Sequence, residues 1–374
     1  MQFVCDQDTL ATWLKRAALF ADTKSPMPIY GYTKFDVLPG SLALSAANST
    51  FMFHTEIGLT DLIPAVPGAI CVQADRISDL VATLRPNCPV EISCDGPRLH
   101  LRSGRTNADL DTLPADQFPT FDTAFRQPQI VTTTGELDRV IGRALPAMGN
   151  DPDRAMLWGL SLQYDGSTDG VSAMGCDGTI TSLCVLFSQS VSEFPAAIIP
   201  RSVCQKLHSL LKGFTGKADI SITPNSARIT TMEWMIVTKL IDAIYPPHHQ
   251  LTADPVATPV TLDSDELMAI LNRIEAATDL DSKKLKQRGA VATFTDNTMK
   301  IRDGLNIIHD VMDAEYGDTA PEEIGFNAAH IATALPAIDA SQIELHFSDR
   351  ASRIRVCAAG DTEEWFTTMP YRVN

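Results

Sequence analysis

Three arginines recur at one position of three similar segments: Arg16 in TLATWLKRAALF, Arg143 in ELDRVIGRALPAM and Arg273 in ELMAILNRIEAAT. Such guanidinium groups are either ordinary solvated helix charges or contacts to a nucleic-acid backbone, where each donates several hydrogen bonds to phosphate oxygens without reading sequence. The densest positive charge lies in KKLKQR, which carries Lys283, Lys284, Lys286 and Arg288. That run reads equally well as a loop touching nucleic acid and as a plain solvated loop. Other reactive residue types are poorly arranged for chemistry. His248 and His249 are adjacent, so they point apart unless a loop folds them back, and spacing suggests no carboxylate partner. KGFTGKA, residues 212–218, faintly echoes a phosphate loop, but Leu211 stands where the first glycine is needed and no Ser or Thr follows Lys217. The eight cysteines form no CxxC pair and no zinc-like spacing with histidine, so they are expected to be scattered buried thiols, with no metal and no cofactor. No nucleophile elbow or dinucleotide fingerprint is present, and the expectation is a protein that is not an enzyme.

The elements that must carry the arginines repeat as well. Leu10, Trp13, Leu14 and Ala17 follow the spacing of one helical face, as do Leu137, Val140, Ile141 and Ala144, and again Leu267, Ile270, Leu271 and Ile274. At about 100° per residue, each arginine falls roughly 110° from the centre of its apolar stripe, on the predicted solvent side. A second helix per repeat begins at Val72, Ile199 and Phe326, at separations of 127 and 127. The closing strands align Leu113, Leu240 and Met369, separated by 127 and 129. Three independent elements thus share one period, and the units run over 1–122, 123–250 and 251–374. Short alternating segments such as SLALSAA, RLHLRS and ASRIRVCA, bounded by turns like Asp95-Gly96, predict an α+β fold of two-helix domains with mainly antiparallel sheets.

Composition sets one obstacle. The formal charge is −16, whereas a protein held on DNA by charge normally shows a basic footprint. No stretch approaches the roughly 20 apolar residues of a membrane span, and the N-terminus lacks the pattern of a signal peptide, so a cytoplasmic protein is expected.

Five further stretches stand in a telling order and spacing: LRSGRTNADLDTLPADQFP, AIIPRSVCQKLHSLL, MIVTKLIDAIYP, EIGFNAAHIATAL and the terminal Met369-Pro370-Tyr371-Arg372. Through them the chain resembles, along essentially its full length, the bacterial DNA polymerase III β subunit, or sliding clamp, family. The resemblance implies a head-to-tail homodimer whose helices line a hole around duplex DNA. Encirclement answers the charge obstacle, because a topologically linked ring need not grip phosphates tightly. It implies partners that dock by short linear peptides: the polymerase III alpha subunit, the clamp loader and repair polymerases. The residues expected to face DNA are Arg16, Lys24, Arg143, Arg201, Arg273, Lys283, Lys284, Lys286 and Arg288. The expected peptide groove comprises Leu157, Gly178, Thr179, Ile180, Pro246, Gln250, Leu251, Arg353, Met369, Pro370, Tyr371 and Arg372. Several of these depart from the family pattern. Its Thr-Asp-Gly-His-Arg-Leu turn reads Cys176-Asp177-Gly178-Thr179-Ile180-Thr181 here, which removes an imidazole and a guanidinium. Gln250 replaces an arginine, Tyr371 a methionine, and Arg353 a small serine, so a changed peptide preference is expected. The alternative reading is a clamp-like interaction scaffold that no longer loads on DNA.

Overall fold

The computed structural model describes residues 1–374 except 61–63, 126, 167, 169, 252–258, 278–288, 305, 318–322 and 372–374. In the first third the chain forms β1 (Gln2–Asp6), α1 (Gln7–Ala18), β2 (Tyr32–Leu38), β3 (Ser41–Ala47), β4 (Phe51–Gly58), β5 (Gly68–Gln73), α2 (Ala74–Ala82), β6 (Pro89–Asp95), β7 (Arg98–Ser103) and β8 (Thr106–Pro114). The second third runs β9 (Ile130–Thr133), α3 (Thr134–Ala144), β10 (Gly159–Asp165), β11 (Gly170–Cys176), β12 (Ile180–Val185), the two-residue β13 (Ser190–Val191), β14 (Ala197–Pro200), α4 (Arg201–Leu211), β15 (Lys217–Ile222), β16 (Ser226–Thr230), β17 (Trp234–Lys239) and a single turn, α5 (His248–Leu251). The last third gives β18 (Val260–Asp263), α6 (Ser264–Ala277), β19 (Gly289–Thr295), β20 (Thr298–Asp303), β21 (His309–Asp313), β22 (Glu323–Asn327), α7 (Ala328–Ile338), β23 (Gln342–His346), β24 (Ile354–Ala358) and β25 (Trp365–Thr368). Apart from β13 and α5, one order of elements recurs three times. The fold is α+β, as the sequence predicts.

Local chemistry explains where the helices begin. Asp6 caps α1 by accepting from the Thr9 amide at 3.2 Å, and Asn327 caps α7 by accepting from the Ala329 amide at 3.1 Å. The predicted stripes are the buried faces: Leu10, Trp13, Leu14 and Ala17 on α1, Leu137, Val140, Ile141 and Ala144 on α3, and Leu267, Ile270, Leu271 and Ile274 on α6. Full burial of each Leu, Ile or Val side chain contributes about 1.5–3 kcal/mol, which is far more than helix propensity supplies.

The chain forms two compact units. Unit 1 comprises residues 1–135, 189–195 and 206–240. Its strands make one thirteen-stranded sheet, ordered β1-β6-β7-β8-β5-β2-β3-β4-β17-β16-β15-β9-β13. Phe3, Phe20, Phe35, Phe51 and Phe53 are fully buried, and Phe20 stacks on Phe53 with ring centroids 4.8 Å apart. Unit 2 comprises residues 136–188, 196–205 and 241–374. It holds an eight-stranded sheet, β14-β10-β11-β12-β25-β24-β23-β18, and a four-stranded sheet, β21-β20-β19-β22.

Each unit contains one junction between strands from different thirds of the chain. In unit 1, β4 pairs antiparallel with β17, Thr55 opposite Trp234. In unit 2, β12 pairs antiparallel with β25, Leu183 opposite Trp365. These are the same two elements of the repeated order, joined in the same way. Two edges of that type have no neighbour among the described residues. On β8, only Thr112–Pro114 meet β5, which leaves the side of Thr106–Asp111 away from β7 open. β21 ends the four-stranded sheet.

Candidate functional site

The three repeated arginines have three different surroundings. Arg16, on α1, is half-buried, and its guanidinium carbon lies 4.5 Å from the Trp13 ring centroid and 4.2 Å from that of Phe214. Burial between two rings lowers its pKa, while nearby Glu233 opposes the shift. Arg273, on α6, is exposed but held by Asp310, whose Oδ2 accepts from its Nε at 2.7 Å. Arg143 departs from the expectation of a solvent-facing cation. It is only 9% exposed, and its Nη1 lies 2.8 Å from Glu364 Oε2. A wheel drawn on α3 alone places Arg143 outside, but the segment leading into β25 covers that flank and presents a carboxylate to it.

Glu364 organises a buried charge network that the sequence does not announce. Its Oε2 also accepts from Arg139 Nη1 at 2.8 Å, and its Oε1 accepts from the Val185 amide at 3.0 Å. Arg139 in turn grips Glu136 with two hydrogen bonds, from Nε at 2.9 Å and Nη2 at 2.8 Å. The hydrogen bonds to Glu136, ahead of those to Glu364, push the Arg139 pKa up. The network ties α3 to both β12 and β25 at the strand junction.

Of the other residues expected to face DNA, Lys24 is exposed and forms no ion pair among the described residues. Arg201 is half-buried and donates to the Met148 carbonyl. Lys283, Lys284, Lys286 and Arg288 lie outside the described residues.

The structure brings most of the expected groove together within unit 2. Leu157, Met174, Cys176, Ile198 and Tyr245 form a buried apolar cluster, with Leu183, Ile241 and Leu251 packed against it. Tyr245 precedes the half-buried Pro246, and burial raises the pKa of its phenol. The turn between β11 and β12 is tied by Asp177, whose Oδ1 accepts from the amides of Thr179 at 2.7 Å and Ile180 at 2.8 Å. Gly178 takes a left-handed φ of 96°, and a Cβ there would lie 2.6 Å from Arg154 Nη1. Arg154 therefore brings a guanidinium to the turn from a different chain position. Sequence reading missed it, although a glycine in a positive-φ turn allows close approach of a neighbouring group.

Met369 joins this turn, and Pro370 and Tyr371 join β22. The Met369 amide donates to Thr179 O at 2.9 Å, Pro370 bridges to Phe326, and the Tyr371 amide donates to Gly325 O at 2.7 Å. Met369 is 43% exposed, enough to offer an apolar side chain to a ligand. Ile180 departs from expectation. It is 3% exposed and belongs to the core cluster that contains Val260, Leu262 and Phe326, because its place opposite Thr368 in the β12–β25 pair turns it inward. The exposed Gln250 receives a hydrogen bond at its carbonyl from Arg353 Nη1, so Arg353 is partly engaged at the groove. His330 supplies an imidazole that sequence reading did not place, hydrogen-bonded to Asn327 at 3.0 Å and Thr368 at 2.8 Å. Burial lowers its pKa, which favours the neutral ring. Arg372 lies outside the described residues, as do the side chains of His248 and His249.

Residues 1–122 match the model of the DNA polymerase III beta subunit N-terminal domain, and residues 132–247 match that of its central domain. The chain is similar to the beta sliding clamp of Salmonella typhimurium, at 23% identity over all of both chains. It is 26% identical to that of Caulobacter vibrioides over 82% of this chain and 83% of the relative. In fold it is similar to a crystal structure of the DNA polymerase III subunit beta from Pseudomonas aeruginosa, with a TM-score of 0.90 at 24% identity over the whole of both chains. A sliding clamp from Bartonella birtlesii, solved bound to griselimycin, superposes with a TM-score of 0.91 at 19% identity over the whole of both chains. No helix among the described residues is long and apolar enough to cross a membrane.

Proposed function

The chain belongs to the DNA polymerase III beta subunit family, and from that premise we propose that it works as a homodimeric ring that encircles duplex DNA and tethers a replicative polymerase to it. It is a sliding clamp, a processivity factor rather than an enzyme. On this reading the chain comprises three domains, 1–122, 123–250 and 251–374, and acts in the cytoplasm. The observation that carries ring closure is the pair of equivalent junctions, β4 with β17 and β12 with β25, beside the open edges of β8 and β21. Pairing β21 of one copy with β8 of another would make the third junction of the series, and a head-to-tail pair would leave no such edge over.

Within the ring, the exposed Lys24 is the strongest DNA-facing candidate, with Arg16, Arg201 and Arg273 contributing positive charge that is partly spent on protein neighbours. Arg143 is removed from that set by its buried pair with Glu364. Such weak phosphate contact suits a protein of charge −16 that is held on DNA by topology. The apolar cluster around Leu157 and Tyr245, bordered by Gly178, Arg154, Arg353 and Met369, supports docking of short peptides from the polymerase alpha subunit, the clamp loader and repair polymerases. Arginines at the rim favour peptides that carry an acidic or polar group beside an apolar anchor.

The test is retention on DNA after loading by the cognate clamp loader. The protein is expected to stay with a closed circular duplex through gel filtration and to leave when the circle is linearised. Absence from the circle, or equal retention on both forms, would overturn encirclement and favour the scaffold reading.

A further inference from the structure

A cluster of metal-ligating side chains lies in unit 2 away from the groove. Glu344 and His346 stand two residues apart on β23, and side chains so spaced point to the same face of a strand. In the pairing with β24, Cys357 lies directly opposite Glu344, and Arg355 opposite His346. His346 Nε2 is 3.1 Å from Glu344 Oε2 and 3.5 Å from Cys357 Sγ, and the three donor atoms all lie within 4.8 Å of one another. His346 is 6% exposed and Cys357 fully buried, whereas the Glu344 side chain keeps 19% of its surface in solvent.

Two features distinguish this cluster from an ordinary polar network. Both neighbours converge on the same ring nitrogen. A nucleophilic cysteine with a histidine base and an orienting acid would engage the two ring nitrogens separately, so that arrangement is not formed. Two of the separations, 3.1 Å from nitrogen to oxygen and 3.5 Å from nitrogen to sulfur, are also close to the edges of a coordination tetrahedron. With a metal–nitrogen or metal–oxygen bond of about 2.1 Å and a metal–sulfur bond of about 2.3 Å, ligand atoms sit roughly 3.6 Å (sulfur to nitrogen) and 3.4 Å (nitrogen to oxygen) apart. We propose that Glu344, His346 and Cys357 form a three-ligand site for a zinc-type divalent transition-metal ion, with the fourth position left to water.

The donor set fits that class of ion. One thiolate, one imidazole and one carboxylate select a borderline metal over magnesium or calcium, which prefer all-oxygen sites. Thiolate and carboxylate together balance a dipositive ion. The surroundings orient the ligands, as metal sites require. The Gly360 amide donates to the other Glu344 oxygen at 3.1 Å, fixing the carboxylate. Arg355, opposite His346 in the strand pair, is held by the Thr362 carbonyl at 3.0 Å and by the Trp365 ring. Sequence spacing alone gives no zinc signature here, because the ligands come together across a strand pair.

Cobalt(II) titration of the full-length, reduced, chelator-treated protein tests the site. The expected result is a cobalt–thiolate charge-transfer band saturating at one ion per chain and displaced by zinc(II). Cys357→Ser should abolish the band, and His346→Gln should weaken cobalt binding at least about tenfold. Because both residues are buried, Glu344→Gln at the more exposed ligand keeps the test independent of folding; it should also weaken binding at least about tenfold with an unchanged circular dichroism spectrum. A wild-type protein without the band, or a band of equal strength in Cys357→Ser, would overturn the proposal and leave a hydrogen-bonded histidine.

Discussion

Glu364 shows how much one residue can decide. Its carboxylate is nearly removed from water and faces two guanidinium groups, Arg139 and Arg143. Desolvation makes such a cluster a modest net contributor when intact, but removing one partner strands the others without their counter-charge. Glu364→Ala should therefore lower the unfolding free energy by about 3–5 kcal/mol, measured by denaturant titration. A loss under about 1 kcal/mol, as for an exposed pair, would show that water reaches the cluster. The same geometry bears on DNA. Charge reversal at Arg143 would disrupt the fold, so a test of DNA contact belongs at Lys24 and Arg273, where exposed substitutions usually change stability by less than about 0.5 kcal/mol.

At the scale of elements, Pro370 and Tyr371 attach to β22, and the Tyr371 ring also borders β19. A Cβ on Gly289 would lie 2.7 Å from the Tyr371 ring, so the glycine at the start of β19 makes room for that side chain. Gly289→Ala should move the ring, a flexible neighbour, in preference to the strand. Loss of contact equivalent to one buried methylene is worth about 0.8 kcal/mol, which corresponds to roughly a fourfold change in peptide Kd. Isothermal titration with an apolar-anchored acidic peptide reads the change. Unaltered affinity would mean that Tyr371 does not border the bound ligand.

For the whole molecule, the proposed ring closes through the open strand edges of β8 and β21. Val311 on β21 is 51% exposed and Ile307 just before it 63% exposed, at the edge that the proposed junction with β8 would use. Ile307→Asp with Val311→Asp should convert the proposed dimer to a monomer at micromolar concentration while the far-ultraviolet circular dichroism stays unchanged, because neither side chain is in the core. Light scattering decides the point. A dimer that persists in the double variant would place the interface elsewhere.

The sequence by itself determined the architecture and its threefold order. Apolar positions at helical spacing became the buried faces of α1, α3 and α6, because a stripe that buries several large side chains outweighs local competitors. The family resemblance pointed to Leu157 and Gly178, which lie in a buried apolar cluster and in a positive-φ turn. What only the tertiary structure decided is which side chains meet across elements. One helix pattern could not distinguish Arg143, covered by Glu364, from Arg273, left exposed. The turn that lost its own arginine receives Arg154 from elsewhere, Ile180 turns into a core through its register with Thr368, and Cys357 finds His346 through strand pairing. The physical reason is common to all four. Periodicity reports the environment averaged around one element, whereas charge pairing, ligand convergence and burial depend on a second element that the local sequence does not contain.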